Sequence, residues 1–186
     1  MTAQTLTAPT LTGDYDVDVA HSRLGFAAKH AMVTTVHGQF KDFTAEIHID
    51  EDDVTKSSAR VVIQTTSIDT GNEMRDNHVR NSDFLEVETY PTITFVSTSA
   101  EAVGEDTYRL NGDLTIKNVT LPVAIDLELT GAADDPWGNF RLGFEGKGVI
   151  NRNDYGVSFN APLGSGGVVV SEKIRLEFDI AAVKRK

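Results

Sequence analysis

The chain has 186 residues, a formal net charge of −11 at pH 7 and no cysteine. This length suits one domain with a single core, and a chain without cysteine has neither disulfides nor thiolate metal sites. The acidic excess repels phosphate backbones and anionic lipid surfaces, so we expect no nucleic-acid partner. No apolar run approaches the roughly 20 residues that a bilayer-spanning helix needs, so we expect no stable membrane insertion.

The first twelve residues are rich in threonine and alanine and lack the basic start and apolar run of a secretion signal. We therefore predict a flexible N-terminal tail over residues 1–12 and a single domain over residues 13–186. Without a recognisable signal, the expected location is the cytoplasm.

Alternation of apolar and polar side chains predicts β-strands along most of the chain. The predicted strands cover residues 14–19, 21–30, 43–50, 59–65, 93–99, 108–117, 123–130, 140–150 and 173–180. Short turns between them imply an antiparallel sheet, because parallel strands need helical crossovers. A sheet of this size is expected to close into a barrel of about eight strands, with a sandwich as the alternative. The stretch 150–156 is predicted to be a strand end followed by a turn.

One segment, residues 70–88, interrupts the strands with a helical pattern. Thr70 and Glu73 have the spacing of a capping box at a helix start. Three residues then recur at helical spacing, namely Met74, His78 and Val79. Ser82 is placed to cap a second short helix over residues 83–87. We expect this helical insertion to lie at the mouth of a barrel.

The inward faces of the predicted strands are rich in aromatic and aliphatic residues. They include Phe26, Phe43, Ile47, Phe95, Leu114, Ile116, Ile125, Phe144 and Phe178. Gly112, Gly146 and Gly148 also fall on these faces, where a glycine leaves volume unfilled, either for a bulge or for something that is not protein. A barrel of about eight strands either fills itself with side chains or holds one small ligand. The pattern alone leaves a packed core and a cavity as open alternatives.

The sequence offers few arrangements of residues that could catalyse a reaction or bind a metal. His21 and Ser22 are neighbours on a predicted strand and would point to opposite faces, so they do not form a catalytic pair. The five histidines lack the spacing of a metal site. We therefore predict no catalytic residue, no metal and no cofactor. His30 shares the apolar face, either as a neutral histidine bonded to a backbone group or as a polar contact to a ligand.

The helical segment carries a dense polar cluster of Arg75, Asp76, His78 and Arg80. In one interpretation, an Asp–Arg pair ties the helix to the barrel rim. In the other, Arg75 or Arg80 and the amino end of the helix receive the anionic head of a lipid. Both interpretations place the cluster at the rim.

Four segments, in order, resemble one family, the YceI-like or polyisoprenoid-binding proteins. The segments are YDVDVAHSRLGFAAKH, SIDTGNEMRDNHVRNSDFLEVETYPTITFVST, NGDLTIKNVTLPV and INRNDYGVSF. The resemblance runs from about Tyr15 to the last strand. It implies a lipocalin-like antiparallel β-barrel around a long apolar tunnel, which in that family accommodates an isoprenoid chain or another long amphiphile. It also implies a possible homodimer, since the family includes dimers.

We therefore expect a protein that binds, stores or carries a polyisoprenoid, a quinone or a similar long-chain lipid. The residues expected to contact the ligand are Phe26, His30, Phe43, Ile47, Met74, Arg75, His78, Phe84, Phe95, Leu114, Ile116, Ile125, Phe144 and Phe178. The alternative is an enzyme, an isomerase or hydrolase that acts on an apolar substrate. Such an enzyme needs a titratable group inside the barrel, for which His30 is the candidate.

Overall fold

The structure is a computed structural model that describes residues 10–186. Most of the predicted N-terminal tail, residues 1–9, lies outside the described residues. The segment 10–12 is fastened to the domain, because Leu11 N donates to Glu51 Oε2 at 2.9 Å and Lys184 Nζ donates to Thr10 O at 2.7 Å.

The described chain forms eleven β-strands, one α-helix and four short 3-10 helices. The strands are β1 (Gly13–Val17), β2 (Arg23–His30), β3 (Thr34–Phe40), β4 (Phe43–Ile49), β5 (Ser58–Gln64), β6 (Ile68–Asp69), β7 (Thr92–Gly104), β8 (Thr107–Ile116), β9 (Val119–Asp134), β10 (Phe140–Asn151) and β11 (Lys173–Lys184). Helix α1 is Glu73–Arg80, and the 3-10 helices are Val19–His21, Val54–Lys56, Thr65–Ser67 and Arg152–Tyr155.

Eight of the strands close an antiparallel barrel in the order β1-β4-β5-β7-β8-β9-β10-β11. The ring closes because β1 pairs with β11, with Val17 opposite Ala182. Strand β2 pairs with the first half of β11, and β3 and β6 extend the wall beyond it. The predicted barrel is confirmed, and the sandwich alternative is wrong because the first and last strands pair with each other.

The two ends of the barrel carry different connections. The upper end carries α1, the β2–β3 and β8–β9 hairpins and the loop 156–172. The lower end carries the β4–β5, β7–β8 and β9–β10 turns. Strand β11 has 12 residues. At about 3.3 Å per residue and a tilt of about 40°, such a strand makes the barrel about 30 Å tall.

The buried apolar residues form two clusters, one near each end. The upper cluster contains Ile68, Phe84, Leu85, Val87, Ile93, Leu114, Ile116, Tyr155 and Val157, and the lower one contains Tyr15, Leu142 and Ala182. Within residues 10–186, no helix combines the length and apolar character needed to cross a bilayer.

The helical insertion is confirmed, but its predicted cap is wrong. Helix α1 begins after Asn72, whose side-chain oxygen accepts the Arg75 amide at 3.0 Å. The hydroxyl of Thr70 instead donates to Asp76 Oδ1 at 2.5 Å and accepts a hydrogen bond from Arg75 Nε at 2.7 Å, so its oxygen does not cap the helix. A capping box is a local pattern, and a competing hydrogen bond six residues away displaces it.

The second predicted helix, residues 83–87, is also wrong. After α1 the chain makes a series of turns, in which Phe84 N and Glu86 N both donate to Asn81 O. Asn81 Oδ1 also accepts the Asp83 amide at 2.8 Å, which gives Asn81 the local role expected of Ser82. These turns direct Phe84, Leu85 and Val87 into the upper core cluster.

A charge network joins the lower end to the segment after β1. Arg141 donates to Asp18 Oδ2 and to Asp135 Oδ2, each at 2.7 Å. Asp135 also accepts the amides of Trp137 and Asn139, both at 2.9 Å, at the tip of the β9–β10 hairpin. The Arg141 guanidinium and these amides hold the pKa of the Asp135 carboxyl well below its ordinary value.

This network predicts a loss of stability in acid. Because the folded pKa of Asp135 lies below its unfolded value, the ionised carboxylate stabilises the fold above about pH 4, and this contribution is lost as the pH falls below it. Asp18 shifts in the same direction, with Arg141 as the main cause. The urea midpoint should fall less between pH 7 and pH 3 in Arg141→Gln than in the native protein. If the urea midpoint falls as much in Arg141→Gln as in the native protein, the network does not contribute to the loss of stability in acid.

Candidate functional site

The barrel interior is hollow and divides into two adjoining cavities, which we call the lower and upper cavities. The lower cavity has a volume of about 570 Å³ and the upper one about 710 Å³. Five residues line both of them, namely Leu24, Ile63, Leu114, Leu176 and Phe178. We call this shared belt the waist. Of the two sequence alternatives, the structure shows the cavity and not the packed core.

All fourteen candidate ligand-binding residues line these cavities. Phe43, Ile47, Phe95, Ile125 and Phe144 line the lower cavity. Phe26, His30, Met74, Arg75, His78, Phe84 and Ile116 line the upper cavity, while Leu114 and Phe178 line both. The structure therefore brings the candidates together around two adjoining cavities of one barrel, and contact with a ligand stays a prediction.

The inward glycines do not leave empty volume, contrary to the prediction. A Cβ at Gly112 would lie 2.4 Å from Phe95 Cζ, and one at Gly38 would lie 2.3 Å from Phe26 Cζ. A Cβ at Gly146 would meet Phe178 and Leu127. Each glycine makes room for a neighbouring side chain, so the aromatic rings lie against the wall. The open volume lies beyond the rings, in the centre of the barrel.

Two of the predicted site residues lie at the rim. The Met74 side chain is 83% exposed and reaches the upper cavity only at its edge. His30 is also exposed, because β2 ends at the β2–β3 hairpin. Within residues 10–186 the His30 side chain makes no hydrogen bond, so its bond to a backbone group, one of the two alternatives, is not observed there. The buried titratable group required by the enzyme alternative is therefore not at His30.

The polar cluster of α1 is organised around Thr70. Arg75 Nε donates to Thr70 Oγ1 at 2.7 Å, and an Arg75 Nη donates to Thr70 O at 2.8 Å. The buried Asp76 carboxylate accepts the amide and the hydroxyl of Thr70. Arg75 and Asp76 therefore interact through Thr70 and not as a direct pair. The predicted tie between helix and rim exists in this indirect form.

Arg80 and His78 fix the two sides of the helix. Arg80 donates to the carbonyls of Thr66 at 3.0 Å and Ile68 at 2.8 Å, which anchors α1 to the segment that contains β6. His78 Nε2 lies 2.9 Å from Asp83 Oδ2, and its ring packs edge-on against Phe84 and Phe159, with centroids 5.0 and 5.1 Å away. Arg80 thus has a structural role, while His78 joins the helix to the loop 156–172.

Arg152 is a site residue that the sequence analysis missed. It is 5% exposed, lines the upper cavity and begins the 3-10 helix after β10. Its guanidinium donates to the carbonyls of Val157, Phe159, Val170 and Ser171, at 2.7 to 3.2 Å. Desolvation by burial lowers its pKa. Arg152 therefore holds the loop 156–172 in place. Its role could not be recognised from the sequence, because its partners are backbone carbonyls, which every residue has.

The site can hold an apolar molecule without specific polar chemistry. Throughout residues 10–186, every buried side-chain nitrogen and oxygen has a hydrogen-bond partner. Over the same residues, no group of three or more histidine, aspartate or glutamate side chains is arranged to hold a metal ion. The lining thus favours ligands through the hydrophobic effect, which scales with the apolar area removed from water.

The chain is similar to known proteins in sequence and in fold. Protein YceI of Escherichia coli is 36% identical over 178 residues, which are 95% of this chain and 90% of that protein. The crystal structure of BcnA from Burkholderia cenocepacia has a TM-score of 0.77 at 26% identity, covering 89% of this chain and 98% of that one. A polyisoprenoid binding domain from Saccharophagus degradans has the same fold, with a TM-score of 0.66 at 19% identity, over 92% of this chain and 98% of that one.

The family itself is also matched directly. The model described as the YceI-like domain matches residues 15–182, which begin within β1 and end within β11 and so include residues of all eight strands of the closed ring. The resemblance found in the sequence is therefore confirmed. This chain belongs to the YceI-like domain family.

Proposed function

We propose that this protein binds one long apolar molecule, a polyisoprenoid or a similar amphiphilic lipid, along the axis of its barrel and so carries or stores it. The observation that supports this most directly is the pair of apolar cavities that meet at the waist. Their combined path follows a barrel about 30 Å tall, which is about the hydrocarbon thickness of a bilayer. The name of the Saccharophagus degradans relative, a polyisoprenoid binding domain, supports the same ligand class.

The energetics favour a long chain over a short one. Each methylene moved from water into an apolar interior contributes about 0.8 kcal/mol, so affinity grows with the length of chain that the barrel encloses. The rings of Phe26 and Phe95 lie over Gly38 and Gly112, so the ligand meets smooth aromatic walls. Specificity then depends on length and width, because few polar groups line the path.

Identification of the co-purified molecule tests this proposal. The protein is purified without detergent, its mass is measured under native conditions, and the bound material is extracted and identified. We expect an excess mass that corresponds to one long-chain amphiphile per barrel. Only water-soluble metabolites in the extract, together with a bare barrel that takes up no added lipid, would contradict the proposal.

A further inference from the structure

The lower end of the barrel carries one strand connection that is longer than the other two. The β7–β8 turn has two residues, 105–106, and the β9–β10 turn has five, 135–139, whereas the β4–β5 connection has eight, 50–57. Neighbouring antiparallel strands need as few as about two residues to connect them. Five residues of the connection line the lower cavity, namely Asp50, Glu51, Asp52, Val54 and Ser57. The β4–β5 connection therefore lies against the lower mouth and does more than join two strands.

A second segment, residues 10–12, lies beside this connection, and we call it the strap. The half-buried Leu11 side chain lines the lower cavity and packs against the lower core cluster. Leu11 thus places an apolar group at the same end of the cavity as Val54 of the β4–β5 connection. We call the strap and the connection together the floor of the lower cavity.

One side chain joins the two parts of the floor. Glu51 Oε2 accepts the Leu11 amide at 2.9 Å and the Thr10 hydroxyl at 3.0 Å. The Glu51 amide in turn donates to Thr12 Oγ1 at 2.9 Å. Three hydrogen bonds between Glu51 and the strap therefore hold the floor together, and we call them the latch.

The latch is exposed to water, whereas the strap's attachment to β1 is not. All three bonds of the latch lie in exposed surroundings, so water can replace either partner and the closed floor is only modestly stabilised. By contrast, the fully buried Tyr15 donates from its hydroxyl to Leu11 O at 2.7 Å. The strap can therefore part from Glu51 while it stays attached to the barrel at Tyr15.

We propose that the floor is a gate for long apolar molecules, closed by the latch at Glu51 and opened when the strap parts from the β4–β5 connection. Open, it gives the ligand a route through the lower mouth that is separate from the upper end of the barrel. This inference rests on the proposed function and adds a control of ligand exchange. A second route speeds association and dissociation by the same factor, because it leaves the free and the bound states unchanged. The gate therefore predicts a change in rates without a change in affinity.

The test uses Glu51→Ala, in which the strap loses its shared acceptor. The protein is loaded with deuterated geranylgeraniol, a twenty-carbon alcohol, and mixed with an excess of the unlabelled alcohol, and native mass spectrometry follows the exchange. We expect exchange at least about fivefold faster than in the native protein, because hydrogen bonds to a charged group are lost. The dissociation constant should stay within about threefold of the native value. Faster amide hydrogen exchange at Leu11 should show that the strap has been released.

A second variant, Thr12→Val, removes the third bond of the latch with little change in side-chain size. It should speed the exchange of geranylgeraniol at least about twofold, since one neutral hydrogen bond is lost. Because the carboxylate of Glu51 stays in place, this variant separates the hydrogen bonds of the latch from its charge.

Two controls should keep the native exchange rate. In Glu51→Gln the amide carbonyl oxygen can accept both bonds that Oε2 accepts. Glu105→Ala removes the same charged group from the β7–β8 turn at the same end of the barrel, where Glu105 is exposed and lines neither cavity.

Native exchange of geranylgeraniol in Glu51→Ala and Thr12→Val, with the Leu11 amide exchanging faster, would overturn the gate. Native amide exchange at Leu11 in both variants would overturn the role of Glu51 as the latch. An acceleration matched by an equal loss of affinity, or one seen equally in Glu105→Ala, would also overturn the gate. Each of these results leaves the proposed function intact, whereas failure of geranylgeraniol to bind the native protein would overturn both.

Discussion

Replacement of Arg152 by methionine is expected to lower the free energy of unfolding by at least about 3 kcal/mol, because buried carbonyl groups lose their donor. Arg152 is buried and bonds four carbonyls between Val157 and Ser171. Methionine matches much of its apolar stem but donates nothing, so the loss is mainly in hydrogen bonding. Urea unfolding at pH 7 measures the change, and faster amide exchange across the loop 156–172 should accompany it.

Arg175→Met is the matched control, since Arg175 lies on β11 with a side chain that is 50% exposed. It should cost less than about 1 kcal/mol, as exposed ion pairs usually do. Arg152→Lys should lie between the two, because one ammonium cannot reproduce the planar fork of donors. A loss in Arg152→Met no larger than that in Arg175→Met would show that the buried guanidinium does not hold the loop.

Replacement of Leu176 by tryptophan is expected to divide the tunnel at the waist. Leu176 lines both cavities and lies opposite Gly148 on β10 and Phe26 on β2. A chain confined to one cavity buries about half of its carbons, and at about 0.8 kcal/mol for each, the affinity for geranylgeraniol should fall at least about a hundredfold. Geraniol, with ten carbons, should bind as it does to the native protein. Overpacking should cost only about 1–3 kcal/mol in stability.

Val149→Trp provides the control for this variant. Val149 is 53% exposed on the outer face of β10, so the same substitution there adds a ring without entering the interior. Its affinity for geranylgeraniol should equal that of the native protein. Native affinity for geranylgeraniol in a folded Leu176→Trp variant would mean that the chain does not cross the waist.

The barrel could be predicted from the sequence because its determinants are local. Alternation in segments such as Phe140–Asn151 and Lys173–Lys184 sets both the strands and the face that each side chain occupies. Short turns then require antiparallel neighbours, which leaves few topologies. The bend between β1 and β2 was less visible, because Val19–His21 forms a 3-10 helix within an apparently continuous alternation.

The helix could be placed from the sequence, but its ends could not. The spacing of Met74, His78 and Val79 predicts α1 correctly, since Glu73–Arg80 is helical. Its start depends on the hydrogen bonds of the Thr70 hydroxyl. This hydroxyl bonds to Asp76 and does not cap the helix. The turns after Arg80 depend on Asn81, whose backbone and side-chain oxygens accept bonds from residues that follow it. Which of these hydrogen bonds forms depends on the three-dimensional geometry of the segment and not on the spacing of residues in the sequence.

Whether the interior is filled or open could not be predicted from the alternation of apolar and polar residues, for a different reason. Alternation says that Phe26 and Phe95 point inward, but it does not say whether their rings cross the centre or lie along the wall. That depends on Gly38 and Gly112, which face these rings from neighbouring strands. The role of Arg152 was invisible because its partners are backbone carbonyls, which every residue has.

We propose that the hollow barrel binds a single long chain along its length. The most direct measurement is a titration of lipid-stripped protein with geranylgeraniol, followed by native mass spectrometry. We predict saturation at one molecule per chain, with the complex lost in Leu176→Trp and kept in Val149→Trp. A protein that stays at its bare mass across the titration, while its circular dichroism remains that of a folded barrel, would contradict the claim.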